Sequence, residues 1–204
     1  MPRVRELLAA QPDLELKLDA TPAWTDELIT ELAITGAVRV VDFKGAYHGT
    51  PVDQAVDTAL YRRVLEGLPA DMLIEDPHDD PEVESLLASH LDRVTWDAPI
   101  HLLEDIRALR HQPRVVNFKP SRFGTLKRLF DAYDFCHDRG IDIYGGGQFE
   151  LGVGRQQVQY LAALFHPDAP NDVAPSEYNI ADSFGDLPGS PLQLRPAATG
   201  FRLD

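Results

Sequence analysis

A regular alternation of short apolar segments with amphipathic ones constrains the fold of this chain more than any other feature. Each apolar segment is short enough for a strand, and each following segment has the apolar spacing of a helix. Strands separated by crossover helices pair in parallel. The predicted strands lie at residues 14–19, 38–43, 72–75, 94–97, 114–119 and 141–144, with a doubtful seventh at 171–174.

The pattern is typical of an α/β protein, and the motifs discriminate between its two main forms. No Gly-x-Gly-x-x-Gly sequence follows the first strand and no Walker lysine loop occurs, which disfavours a nucleotide-binding sheet. We therefore predict a (β/α)8 TIM-like barrel of parallel strands with outer helices. Residues 1–179 are expected to form this domain and 180–204 an irregular C-terminal tail, because the end of the chain is rich in Pro, Gly, Asp and Ser.

Composition excludes several classes of partner. The 33 acidic residues outnumber the 19 Lys and Arg residues, which gives a formal net charge of -14 and argues against binding to nucleic acid or to an anionic membrane surface. Neither a signal peptide nor a long apolar run is present, so we expect a soluble, cytoplasmic protein. Cys136 is the only cysteine, which excludes a disulfide framework and a thiolate zinc site. The seven histidines show no ligand spacing and are predicted at the surface or at helix ends.

Charged side chains stand where the predicted strands end. In a parallel barrel these ends meet at one rim, where active sites lie. Carboxylates that converge there can all stay ionised only beside a cation, and oxygen ligands favour Mg²⁺ or Mn²⁺ over zinc. Acids are frequent in this chain, so chance placement remains the alternative reading. The strand-end residues are Lys17, Asp42, Glu75, Asp97, Lys119 and, after the triple glycine, Glu150.

Five segments, taken in order, resemble the barrel of the enolase superfamily. The similarity is strongest to the subgroup that contains muconate-lactonising enzyme, o-succinylbenzoate synthase and dipeptide epimerases. The segments are Val-Val-Asp-Phe-Lys-Gly-Ala-Tyr at 40–47, Leu-Ile-Glu-Asp-Pro at 73–77, Thr-Trp-Asp-Ala-Pro-Ile at 95–100, Val-Asn-Phe-Lys-Pro-Ser-Arg-Phe-Gly at 116–124 and Gly-Gly-Gly-Gln-Phe-Glu-Leu-Gly-Val-Gly at 145–154.

This resemblance implies a function and a set of site residues. Asp42, Glu75 and Asp97 would hold one Mg²⁺, and Lys17 and Lys119 would act as general acid and base on opposite faces of a small carboxylate substrate. The implied reaction is abstraction of the proton α to the carboxylate, followed by epimerisation, cycloisomerisation or β-elimination. The implied substrate-binding residues are Gly146, Gly147 and Gln148. Glu150 would be a catalytic acid or a polar contact at the same pocket, although it could instead cap the next helix.

The chain also departs from the family pattern. Glu15 replaces the first lysine of a Lys-x-Lys motif, Lys44 stands where an asparagine is usual and Ala98 where a glutamate is usual. Only 13 residues precede Leu14, so the N-terminal capping domain and the first barrel strand are expected to be missing. The resulting open edge would favour a homo-oligomer. The alternatives are a non-catalytic barrel that binds a metal or ligand, or a fragment of a longer enzyme.

Overall fold

The structure, a computed structural model, describes residues 1–148, 150–174, 178 and 189–191. The predicted tail at 180–204 therefore lies, except for 189–191, outside the described residues. The strands are β1 Leu16–Asp19, β2 Val38–Asp42, β3 Leu73–Glu75, β4 Val94–Thr95, β5 Val115–Phe118 and β6 Asp142–Gly145. The helices are α1 Pro2–Ala10, α2 Asp26–Thr35, α3 Thr58–Gly67, α4 Pro81–Leu87, α5 Leu103–Ala108, α6 Leu126–Arg139 and α7 Val153–Phe165.

All six described strands pair in parallel, as predicted. The strands β1 to β4 form one sheet in sequence order, and β5 pairs with β6. The Asn117 N–H donates to the Trp96 carbonyl at 3.1 Å, which links the end of β4 to β5. At the doubtful seventh segment, the described residues contain a single parallel bridge between Gly146 and Asp172 rather than a strand.

The helices begin and end at the side chains that favour such ends. Thr25 and Thr125 accept hydrogen bonds from the third backbone N–H after them, at the starts of α2 and α6. Gly36 and Gly140 end these helices in the left-handed conformation. The apolar spacing of the sequence predicts a third helix from about residue 52 to residue 68, and that start is wrong. That helix begins at Thr58, because the Asp57 carboxylate caps it by accepting from the Leu60 N–H.

Apolar side chains lie on both sides of the strands. One outer cluster joins β2 and β3 to α2, α3 and α4, a second joins β5 to α5 and α6, and Trp96 packs against both. On the inner side, Val40, Val115 and Tyr144 form a smaller buried cluster. None of the helices in the described part of the chain combines the length and apolar character needed to cross a bilayer.

The turn after β2 is clamped to the end of β3. The Phe43 N–H donates to the Glu75 carbonyl at 3.0 Å, and the Gly45 N–H donates to the Asp76 carbonyl at 2.8 Å. Gly45 has no room for a side chain, because a Cβ atom there would lie 2.2 Å from the backbone nitrogen of His78. This contact fixes the position of the turn relative to the strand ends.

Replacing Gly45 with alanine should lower the free energy of unfolding by about 1–3 kcal/mol, because the clash is with backbone that cannot move aside cheaply. Urea unfolding measures the change. Gly154→Ala is the control, since a Cβ there would meet Glu150 Cβ at an ordinary 3.5 Å. It should change the free energy by less than about 1 kcal/mol. Equal effects of the two substitutions would contradict the packing argument.

Two histidines are buried. His78 contradicts the prediction of a surface or helix-end position, whereas His166 lies at the C-terminal end of α7 as predicted. His78 is buried, with its backbone N–H donating to the Tyr61 hydroxyl and its ring bound to the same hydroxyl and to the Gln54 carbonyl. His166 does follow α7, but its ring is buried between the Tyr133 hydroxyl at 3.0 Å and Asn171 Oδ1 at 2.6 Å. Burial lowers the pKa of His166, although its bond to Asn171 opposes this.

The contribution of His166 to the stability of the fold should consequently fall as the pH falls below about 6.5. Below that pH the unfolded chain takes up a proton on residue 166 before the folded chain does, since the folded pKa is the lower one. Urea unfolding at about pH 7.5 and pH 5.5 should show a smaller loss for His166→Gln than for the original protein. The exposed His137 provides the control, and His137→Gln should leave the loss unchanged. An identical loss in all three proteins would rule out His166 as its source.

Candidate metal and proton-transfer site

Three carboxylates converge at the C-terminal ends of the strands. Asp42 ends β2 and Glu75 ends β3, and the two are paired directly across the sheet. Asp97 follows β4 by two residues. All three are buried, with exposed fractions of 0 to 1%. One oxygen from each, together with one from Asp76, lies within 4.8 Å of the others. The structure thus brings together the three acids predicted from the strand ends.

The two predicted lysines flank these acids. The Lys17 ammonium contacts Glu75 Oε1 and lies 3.6 Å from Asp42 Oδ2 and 3.8 Å from Asp97 Oδ2. The Lys119 ammonium lies 3.0 Å from Asp97 Oδ2. Because β1 and β5 stand on either side of the acid-bearing strands, the two amines approach the cluster from different sides.

Each oxygen of the three acids has a donor. Lys44 satisfies Asp42 with its backbone N–H and its ammonium. The Tyr144 hydroxyl donates to Glu75 Oε2, and the Arg122 guanidinium donates to Asp97 Oδ1 at 3.0 Å. The Tyr47 hydroxyl adds a weaker contact of 3.4 Å to Asp97 Oδ2. Sequence reasoning did not identify Tyr47, Arg122 or Tyr144 as site residues, since none of them is a strand-end charge.

These surroundings shift the pKa values in different directions. Burial alone would lower the pKa of Lys17, but the four nearby carboxylates outweigh it and raise that pKa above its ordinary value. Burial and the neighbouring acids raise the pKa of Glu75, against the effect of Lys17. For Asp97 burial is outweighed by Lys119, Lys17 and Arg122, so its pKa is lowered. The acids therefore favour the ammonium form of Lys17.

Asp76 holds the turn that carries Asp97. It adopts a φ of 43°, and its carboxylate accepts hydrogen bonds from the N–H groups of Asp97 and Ala98, both at 2.9 Å. Both oxygens are therefore used to hold the turn that carries Asp97. Burial and the charges of Asp97 and Asp42 raise the pKa of Asp76 to about 7.

Asp172 is a further acid of the site. Its Oδ2 atom lies 2.7 Å from the Lys17 ammonium and 3.3 Å from the Lys119 ammonium, so it connects the two amines. Neighbouring Asn171 holds it in place by accepting from the Gly145 N–H at 2.7 Å. The strand-end rule did not find Asp172, because it is the second residue of the segment at 171–174 and not the last.

The predicted pocket residues lie beside Lys119. The Gly146 and Gly147 N–H groups already donate to the Phe118 and Asp172 carbonyls. A Cβ atom at Gly146 would lie 2.7 Å from the Lys119 ammonium, so this glycine leaves space for that side chain. Glu150 accepts from the Ser121 hydroxyl at 2.8 Å and from the Gln148 N–H at 2.6 Å. It does not cap α7, whose N-cap is Gly152.

Glu15 lies away from the position expected for a Lys-x-Lys residue. The pairing of β1 with β2 is irregular between Leu16 and Lys17, which breaks the two-residue alternation of side chains. Instead of facing the acid cluster, the Glu15 carboxylate accepts from Arg39 Nε at 2.8 Å. The negative charge of Glu15 is thus neutralised outside the site.

The acid cluster fits the requirements of Mg²⁺. An octahedral ion with ligands at about 2.1 Å separates opposite ligand oxygens by about 4.2 Å. The carboxylates already lie within 4.8 Å of one another, so a small contraction would bring them into range. Asp42, Glu75 and Asp97 are the predicted ligands in this group, and the fourth acid, Asp76, accepts from two backbone N–H groups.

Comparison with known proteins places this fold. The o-succinylbenzoate synthase of Geobacillus stearothermophilus is 25% identical over 182 residues, which cover 86% of this chain and 47% of that protein. A member of the enolase superfamily from Enterococcus faecalis superposes with a TM-score of 0.67 at 22% identity, covering 86% of this chain and 47% of that one. The Mg-bound dipeptide epimerase of Methylococcus capsulatus gives a TM-score of 0.62 at 21% identity, covering 88% and 53%.

The chain spans about half the length of the relatives it matches. Residues 1–180 match the family described as "Domain of unknown function (DUF8230) C-terminal domain". Together, the parallel α/β fold and the named relatives confirm the resemblance seen in the motifs. The chain therefore belongs to the DUF8230 C-terminal domain family, and its fold is similar to that of solved members of the enolase superfamily.

Proposed function

We propose that this protein uses a bound Mg²⁺ to abstract the proton α to the carboxylate of a small substrate, giving an enolate. Epimerisation, cycloisomerisation or β-elimination would complete the reaction. The observation that carries the proposal is the placement of two lysines, the half-buried Lys17 and the buried Lys119, on either side of three buried acids. The names of the relatives, o-succinylbenzoate synthase and dipeptide epimerase, support the same class of isomerase or lyase.

The side chains present have the properties that this chemistry needs. Lys17 and Lys119 each end in an amine that could remove or return a proton at a substrate carbon between them. When bound to Asp42, Glu75 and Asp97, the ion would supply positive charge that stabilises the enolate oxygen and lowers the pKa of the nearby lysines. Asp172 contacts both amines and would orient them.

Glu150 and Gln148 offer polar groups at the edge of this space. Both accept from the Ser121 hydroxyl, two residues after Lys119. Partial burial would raise the pKa of Glu150, but this effect is outweighed and the pKa is lowered. The hydrogen bond from the Ser121 hydroxyl is the largest of the interactions that lower it. Glu150 would therefore act as an ionised contact for a polar part of the substrate, with Gly146 and Gly147 leaving room for it.

A second candidate is a barrel that binds a ligand without catalysis. The observation in its favour is that all six oxygens of Asp42, Glu75 and Asp97 already have donors in the protein. A cluster satisfied in this way can fold without an ion. The two functions differ in whether a substrate proton exchanges.

Added Mg²⁺ should raise the melting temperature, because an ion that binds only the folded state stabilises it by about 2.7 kcal/mol at a hundredfold excess over its Kd. Differential scanning calorimetry measures the shift. Glu75→Gln removes one ligand charge and should abolish most of it. Asp131→Asn removes an exposed acid of α6 and should leave the shift intact. An unchanged melting temperature at saturating Mg²⁺ would count against the metal-dependent function.

Exchange of the α-hydrogen with deuterated solvent is the reaction step shared by all the proposed outcomes. Proton NMR of a panel of dipeptides and other small carboxylates, with Mg²⁺ present, should identify at least one substrate that exchanges. Lys119→Ala should reduce the rate at least 10³-fold, a loss of the order expected for a general base. Lys127→Ala is the control, since that lysine pairs with Asp131 at the surface of α6. Exchange that survives Lys119→Ala would exclude Lys119 as the base.

A further inference from the structure

Lys44 engages both oxygens of a predicted metal ligand. Its backbone N–H donates to Asp42 Oδ1 at 2.8 Å, and its ammonium contacts Asp42 Oδ2. The side chain of Lys44 is only 13% exposed, so this ion pair is shielded from solvent. An ion that coordinates Asp42 would meet the positive charge of Lys44 at close range.

The backbone around Lys44 aims the ammonium at this carboxylate. The residue has a φ of 56°, which is uncommon for a residue with a side chain. Its two neighbours, Phe43 and Gly45, are hydrogen-bonded to the backbone at the end of β3. The turn therefore fixes the direction in which the Lys44 side chain leaves the backbone.

A second carboxylate lies within reach of the same ammonium. Asp19 Oδ1 is 3.2 Å from Lys44 Nζ, and Asp19 is paired opposite Asp42 in the sheet. The Asp19 side chain is 56% exposed, so it lies outside the buried cluster. The ring of Tyr47, with its centroid 4.9 Å from the ammonium, offers a further favourable contact. Lys44 can thus give up Asp42 and still keep a partner.

We propose that Lys44 is a built-in competitor for the metal ion. Its ammonium neutralises Asp42 when no divalent ion is bound, and it moves to Asp19 when an ion takes Asp42. This inference rests on the proposed metal site and adds that Lys44 lowers the affinity of that site for Mg²⁺. The acid cluster can then fold free of metal, at the cost of binding Mg²⁺ more weakly than the three acids alone would.

Isothermal titration with Mg²⁺ tests this competition. Lys44→Met removes the charge and keeps the length of the side chain, and it should bind Mg²⁺ roughly ten- to a hundredfold more tightly than the original protein. Lys44→Asn should do the same, and it is the safer variant to fold because asparagine tolerates the left-handed conformation. Lys44→Arg keeps the charge and should bind within about threefold of the original affinity.

Asp19→Asn tests the second partner. It should weaken Mg²⁺ binding several-fold in the original protein, because the displaced ammonium loses its alternative carboxylate. In the Lys44→Met background the same change should have little effect, since Asp19 is exposed and its long-range charge is screened. Equal effects in both backgrounds would contradict the movement to Asp19.

The remaining outcomes separate this inference from the proposed function. If the original protein binds Mg²⁺ and neither neutral variant binds it more tightly, the competition is overturned while the metal site stands. If none of these proteins binds Mg²⁺, both the competition and the metal-dependent function are overturned. Tighter binding by both neutral variants, with Lys44→Arg unchanged, supports the inference.

Discussion

Compensation of buried negative charge at the strand ends is the constraint on which the rest of this structure depends. An ionised carboxylate buried without a partner costs several kcal/mol. The cluster contains five acids, Asp42, Glu75, Asp76, Asp97 and Asp172, and four basic side chains contact them, namely Lys17, Lys44, Lys119 and Arg122. Burial and the charges of Asp97 and Asp42 raise the pKa of Asp76 to about 7, which favours its neutral form and brings the charges closer to balance.

The strand-end acids could be predicted from the sequence because parallel strands place their C-terminal ends at the same edge of the sheet. A residue at the end of one strand therefore lies near the residues that end the neighbouring strands. Asp42 and Glu75 each end a strand, and the register places them side by side. Lys17 and Lys119 followed from the same rule. Asp172 did not, because the segment around it forms one bridge and no strand in the described structure. Its position is fixed by Asn171 and His166, which are distant in sequence from the groups they bind.

The predictions that the structure contradicts have a common physical cause. A local sequence pattern does not determine which polar partners the tertiary structure brings to a side chain. The apolar residues after position 52 continue a helical spacing, but the Asp57 cap starts α3 six residues later. His78 looked like a surface residue, yet Tyr61 and the Gln54 carbonyl satisfy it in the interior. Glu15 shares the spacing of an active-site residue, but an irregularity in β1 turns it towards Arg39.

Two charged residues of the site, Lys44 and Asp76, have a positive φ, which strains the backbone of a residue with a side chain. Glycine could adopt the backbone of Lys44 and Asp76 without the cost of about 1–2 kcal/mol that a side chain incurs. Strain of this kind persists only when the surroundings hold the residue in place, and it clusters at functional sites. Here the surroundings are hydrogen bonds to the ends of β3 and β4. The backbone at these positions favours glycine, so we infer that the side chains are present for their charged groups. The Asp76 carboxylate binds the turn that carries Asp97, and the Lys44 ammonium pairs with Asp42.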